Sequence, residues 1–79
     1  MKRKILVLGP GCTKCKTTYE NVVKAVTELG IDAEITKIED MEEMMKYDVL
    51  TTPVLMIDGV AHIKGRVAQT DEIIKLLNQ

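Results

Sequence analysis

Few residues in this chain could carry chemistry. The two cysteines, Cys12 and Cys15, stand three positions apart in the stretch GPGCTKC, and the one histidine, His62, lies far along the sequence. Two thiols at this spacing can grip a metal, exchange electrons through a reversible disulfide, or fill a core. On a helix, positions i and i+3 bring Cα atoms to about 5 Å. Disulfides bridge Cα separations of roughly 4.4–6.8 Å, so such a pair can close with little backbone movement. A thiol at a helix N-terminus is also acidified by free amide N–H groups and by the helix dipole. Cys12, nearer the helix end and with the positive charge of Lys14 and Lys16 nearby, is the expected acidic, attacking thiol; Cys15 is the expected resolving one. No Ser–His–Asp set or carboxylate pair stands out. Gly9-Pro10-Gly11 is turn punctuation rather than a phosphate loop.

The neighbouring elements decide between these uses. Ile5-Leu6-Val7-Leu8 is a continuous apolar run ended by Gly9-Pro10, which predicts a strand buried on both faces and therefore central. Tyr19, Val22, Val23, Val26 and Leu29 then follow the stripe of an amphipathic helix, stopped at Gly30. From Ile31 to Thr36 the period falls to two, as in a strand with one wet face at an edge. A short helix is expected from about Met41 to Tyr47, capped by Asp40 with Glu43 as capping-box partner. Met41, Met44 and Met45 form its expected core face.

Asp58-Gly59 lies between the apolar runs Val54–Ile57 and Val60–Ile63, and an Asp-Gly pair suits a two-residue hairpin turn. Thr70 is the expected cap of a last helix, with Asp71 and Glu72 at its positive end and Ile73, Ile74 and Leu77 on its buried face. The order β-α-β-α-β-β-α describes an α/β fold. Its four-stranded mixed sheet has the Ile5–Leu8 strand flanked by Ile31–Thr36 and Val54–Ile57, the Val60–Lys64 strand at the far edge, and helices on both faces. A C-x-x-C that follows a buried strand and opens the helix of a βαβ unit points to redox chemistry.

Composition sets the limits. With 79 residues, 46% of them apolar, the chain is expected to be one domain, residues 1–79, that folds without staples. A net charge of −1 offers no broad basic surface for nucleic acid or anionic membrane. No apolar run reaches membrane-spanning length, and ILVL is too short for a signal-peptide core. The expected compartment is the cytoplasm, where disulfides are transient and catalytic.

The element order, the GCTKC turn, the Thr51-Thr52-Pro53 tripeptide, the Asp58-Gly59 hairpin and Gly65 together resemble the thioredoxin superfamily. The length is similar to its minimal, glutaredoxin-sized form, and more narrowly to the short redox-active disulfide proteins of archaea and bacteria. The resemblance implies a disulfide oxidoreductase in which Cys12 attacks and Cys15 resolves. It implies a cis Thr52–Pro53 bond packed beside the couple, with Thr52 offering backbone hydrogen bonds to an extended substrate segment. Gly11, Thr13 and Lys14 are the expected substrate-facing neighbours. The only cofactor implied is the Cys12–Cys15 disulfide itself. The implied partners are disulfide substrates and a reductase or low-molecular-weight thiol, and a monomer is expected. The sequence departs from thioredoxins where Gly11, rather than tryptophan, precedes Cys12 and where Thr13-Lys14 separates the thiols.

The alternative is a C-x-x-C metal-binding or metal-transfer module. A closed zinc site needs four ligands. One chain offers two thiols and a histidine expected on an edge strand, so the metal reading requires two chains to pool four thiolates.

Overall fold

In the computed structural model, residues 3–10, 13–47 and 51–78 are described. The elements run β1 (Arg3–Leu8), α1 (Thr13–Leu29), β2 (Ala33–Ile38), α2 (Met41–Lys46), β3 (Val54–Ile57), β4 (Val60–Lys64) and α3 (Thr70–Leu77). The sheet order is β2-β1-β3-β4, with β1 parallel to β2 and antiparallel to β3, and β4 antiparallel to β3. This is the α/β architecture of the minimal thioredoxin fold.

Because side chains alternate across a strand, the sheet separates two apolar layers. Ile5, Val7, Leu55, Ile57 and Ile63 face the larger one, closed by Val22 and Ala25 of α1 and by Ile73 and Leu77 of α3. Leu8, Ile38, Val54 and Met56 face the other, where Met44 of α2 covers them. All four β3 residues are buried, as a strand enclosed on both faces requires.

Four sequence expectations shift. The second strand is Ala33–Ile38, not Ile31–Thr36, because its ladder follows β1 in register from Arg3↔Ala33 to Leu8↔Ile38. Ile31 packs against the larger core from outside the strand. The buried stripe of α1 is Cys15, Thr18, Val22 and Ala25, and Val23 is exposed. Thr18 belongs there because its hydroxyl accepts the N–H of fully buried Ala68 at 3.4 Å. Asn21 holds the other side of that residue, donating to the Ala68 carbonyl at 2.8 Å.

The methionine face of α2 is the third correction. Only Met44 is buried, while Met41 and Met45 are 65% and 72% exposed. A helix of six residues lies on the end of one sheet face, and one side chain fills the available gap. Asp40 does cap it, accepting the Glu42 N–H at 2.9 Å, but no bond to Glu43 accompanies it. The fourth correction is the α3 cap. Gln69, in extended conformation, holds that position, and Thr70 is the first helical residue.

Turns close the frame where the sequence placed them. Asp58 and Gly59 have φ of 50° and 85°, the pair of positive values that a type I′ hairpin needs. Gly30 ends α1 at φ 63°, its N–H reaching the Val26 carbonyl at 3.0 Å. Asp58 also works at long range. Its carboxylate accepts the Lys4 N–H at 3.0 Å and Arg3 Nε at 2.6 Å, and the Lys4 backbone bond foremost lowers its pKa. Arg3 donates a further bond to the Leu77 carbonyl at 3.2 Å.

At the start of α3, Arg66 grips Glu72 with two bonds of 2.7 and 2.6 Å, and the Glu72 carboxylate accepts the Gln69 N–H at 3.4 Å. The Arg66 bonds foremost lower the Glu72 pKa from 4.5 to about 2. A depressed carboxylate pKa stabilises the fold above the unfolded value and loses that contribution as pH falls through the folded one. Urea unfolding should therefore show wild type losing stability relative to Glu72→Gln between pH 4.5 and about 2. The difference should be small and reduced by salt, because the pair is exposed. The α2 packing gives a second expectation. Met44→Ala should cost about 2–5 kcal/mol. Met41→Ala and Met45→Ala should stay within about 0.5 kcal/mol of wild type in the same measurement.

Candidate active site

The chain leaves the sheet at the C-terminal end of β1 and turns directly into α1. Gly9 extends the parallel ladder by one bond, its N–H donating to the Ile38 carbonyl at 2.9 Å. Pro10 breaks the strand, and α1 begins at Thr13. Cys15 lies in the first turn of that helix and is 2% exposed. Thr13 and Lys14 beside it are exposed, and no acidic residue occupies the turn. Gly11 and Cys12 lie outside the described residues.

Antiparallel pairing supplies the opposite wall. Leu8 faces Val54 in the β1–β3 register, so the residues just beyond them, Gly9 and Pro53, come together although 44 positions separate them in sequence. The Thr52–Pro53 peptide is cis, Pro53 is buried and Thr52 is half-buried. The Pro53 carbonyl accepts the Gly65 N–H at 2.9 Å, which ties this turn to the end of β4. Gly65 has φ 73°, and a methyl group built on it would come within 3.4 Å of Thr51 Oγ1. The Thr51-Thr52-Pro53 turn therefore rests on a residue favoured as glycine by its backbone angle.

Cys15 reaches this junction from the helix side. A methyl group placed on Gly9 would overlap the Cys15 sulfur, stand 3.0 Å from Cys15 Cβ and lie 3.9 Å from Pro53 Cα. The sulfur thus sits against bare backbone at the strand end, with the proline turn alongside. Of the sequence-predicted site residues, the structure brings Cys15 and Pro53 to one place through Gly9, with Thr13, Lys14 and Thr52 next to them in the chain. Sequence reasoning noted Gly9, Thr51 and Gly65 but assigned them no part in the site. The available signal for the first was a glycine directly after the buried strand, which reads equally well as turn punctuation.

The arrangement suits thiol chemistry at a helix N-terminus. It suits metal binding less well. His62 is exposed on β4, where it is the extra residue of a bulge opposite Leu55 and Met56. Among the described residues, no cluster of three or more His, Cys, Asp or Glu side chains is placed to hold a metal ion. Also among them, no helix is long and apolar enough to cross a membrane.

Comparison with known proteins bears on the whole chain. The family model described as a thioredoxin domain matches residues 3–78. A thioredoxin of Methanocaldococcus jannaschii is 48% identical over 69 residues, covering 87% of this chain and 79% of the relative. A thioredoxin of Methanothermobacter thermautotrophicus is 43% identical over 75 residues, covering 95% and 97%. These matches lend no support to a metal-transfer module. Strand, turn, helix and proline loop meet around Cys15, and the likeness extends over nearly all the residues that build them; the chain belongs to the thioredoxin superfamily, as a thioredoxin-like disulfide oxidoreductase.

Proposed function

We propose that the chain exchanges electrons with disulfide substrates through a Cys12–Cys15 couple. The observation that carries this reading is the placement of Cys15, buried in the first turn of α1 against Gly9 and the Pro53 turn. A thiol buried there is poorly exposed to substrate, which supports a second, resolving step rather than the first attack. Cys12 is three residues earlier and nearer the helix end, and it is assigned the first attack.

The thiolate of Cys12 attacks one sulfur of the substrate disulfide. The substrate S–S bond breaks, one substrate thiolate leaves, and a mixed disulfide forms. Cys15, losing its proton, then attacks Cys12 Sγ and expels the second substrate thiolate. Two electrons and two protons pass to the substrate, and the protein is left as the Cys12–Cys15 disulfide. A reductase dithiol or a low-molecular-weight thiol returns it to the dithiol by the reverse sequence. Thr52 and Pro53 are assigned to backbone recognition of an extended substrate segment, and Gly11, Thr13 and Lys14 to the substrate-facing rim. Protein disulfides are the favoured substrates, and the reducing cytoplasm is the favoured setting for a monomer working in this way.

The order of attack is tested by trapping. With glutathione disulfide as substrate, Cys15→Ser should accumulate one glutathione on Cys12, read by intact mass, while Cys12→Ser should carry little or none. Equal labelling of the two variants would overturn the assignment. The rate of alkylation of Cys12 against pH should show an apparent pKa below the ordinary thiol value of about 8.5.

A further inference from the structure

We propose that Gly9 is a positioning residue for the Cys12–Cys15 couple, its missing side chain forming the slot that receives the Cys15 sulfur. The proposal rests on the exchange reading above and extends it to a residue with no thiol chemistry of its own.

Backbone conformation does not explain this glycine. Gly30, Gly59 and Gly65 all have positive φ, whereas Gly9 is not among the positive-φ residues. An alanine backbone would be comfortable there. Space is what excludes a side chain. The Cβ of an alanine would collide with the Cys15 sulfur and crowd Cys15 Cβ at 3.0 Å. Neither wall can easily withdraw. Gly9 is held by its bond to the Ile38 carbonyl, and Cys15 is fixed within the first turn of a 17-residue helix. Pro53 Cα lies 3.9 Å from the same point, so the slot opens onto the proline turn.

The two redox states should feel a methyl group in this slot differently. As a thiol, Cys15 can relieve the overlap in part by turning about χ1, at the cost of leaving its preferred rotamer. As half of a disulfide its sulfur is held about 2.05 Å from its partner, with the torsions of the bridge restricted as well. Gly9→Ala should therefore penalise the disulfide more than the dithiol. The same displacement moves the Cys15 sulfur from its place in the slot, so the mixed disulfide should resolve more slowly.

The test equilibrates wild type and Gly9→Ala with graded ratios of reduced and oxidised dithiothreitol, then counts free thiols by alkylation and mass. In this exchange the protein disulfide gains two electrons and two protons, and the dithiothreitol dithiol loses them. The variant should form its disulfide about tenfold less readily than wild type, the scale expected of an off-rotamer side chain. Its glutathione adduct on Cys12 should also persist longer. A folded Gly9→Ala with wild-type equilibrium and wild-type resolution overturns the positioning role. A wild-type protein that forms no Cys12–Cys15 disulfide at any ratio overturns the exchange reading itself, a distinct result.

A second measurement covers poor folding of the variant. Gly9→Ala is compared by urea unfolding in the wild-type and Cys15→Ala backgrounds under reducing conditions. Removing the sulfur should relieve most of the penalty, by about tenfold in the unfolding constant. An equal penalty in both backgrounds, or loss of folding in both, overturns the proposal.

Discussion

The structure depends on one strand being enclosed on every side. β1 has a strand on each flank and an apolar layer on each face, with Ile5 and Val7 on one side and Leu8 on the other. Such a strand leaves no edge open, so the chain can depart only at its ends. At the end marked by Gly9 it turns immediately into α1, and the thiol of Cys15 is carried back over the strand it has just left. The register with β3 then fixes what lies opposite. Once Leu8 pairs with Val54, Pro53 has to meet Gly9.

Much of this was legible because it is written in short-range pattern. A four-residue apolar run ended by Gly-Pro has few meanings, and Asp-Gly between two apolar runs has fewer. The sheet order followed from how completely each strand avoided polar residues. The thiol pair was recognisable from its spacing and from the strand before it. Contacts between distant residues were harder to read. Arg3 and Asp58 are 55 positions apart, and neither announces the other. Thr18 sits on the buried face of α1 because it has a partner on the Ala68 backbone, and no periodicity of apolar residues could include it. The methionines of α2 misled for the opposite reason. They have the spacing of a core face, but the helix is too short and its seat too small to bury three of them.

Gly9 illustrates a third kind of illegibility. Its neighbours Pro10 and Gly11 make it look like part of a turn, where glycine is unremarkable. What sets it apart is the sulfur that lies against it, and that contact exists only once helix and strand have docked. A glycine needed for space and a glycine needed for conformation are identical letters in a sequence. The backbone angle separates them.

The Asp58 turn has a consequence beyond closing a hairpin. Through Arg3 it joins the beginning of β1 to the carbonyl of Leu77 at the end of α3, so both extremities of the folded chain meet at the pole opposite Gly9. Six strand residues separate the two poles, about 20 Å along β1. The described structure is thus polarised, with Cys15 and the proline turn at one end and the start of β1 with the end of α3 at the other. A probe attached at the pole of Asp58 and Leu77 would leave the thiol end facing outward.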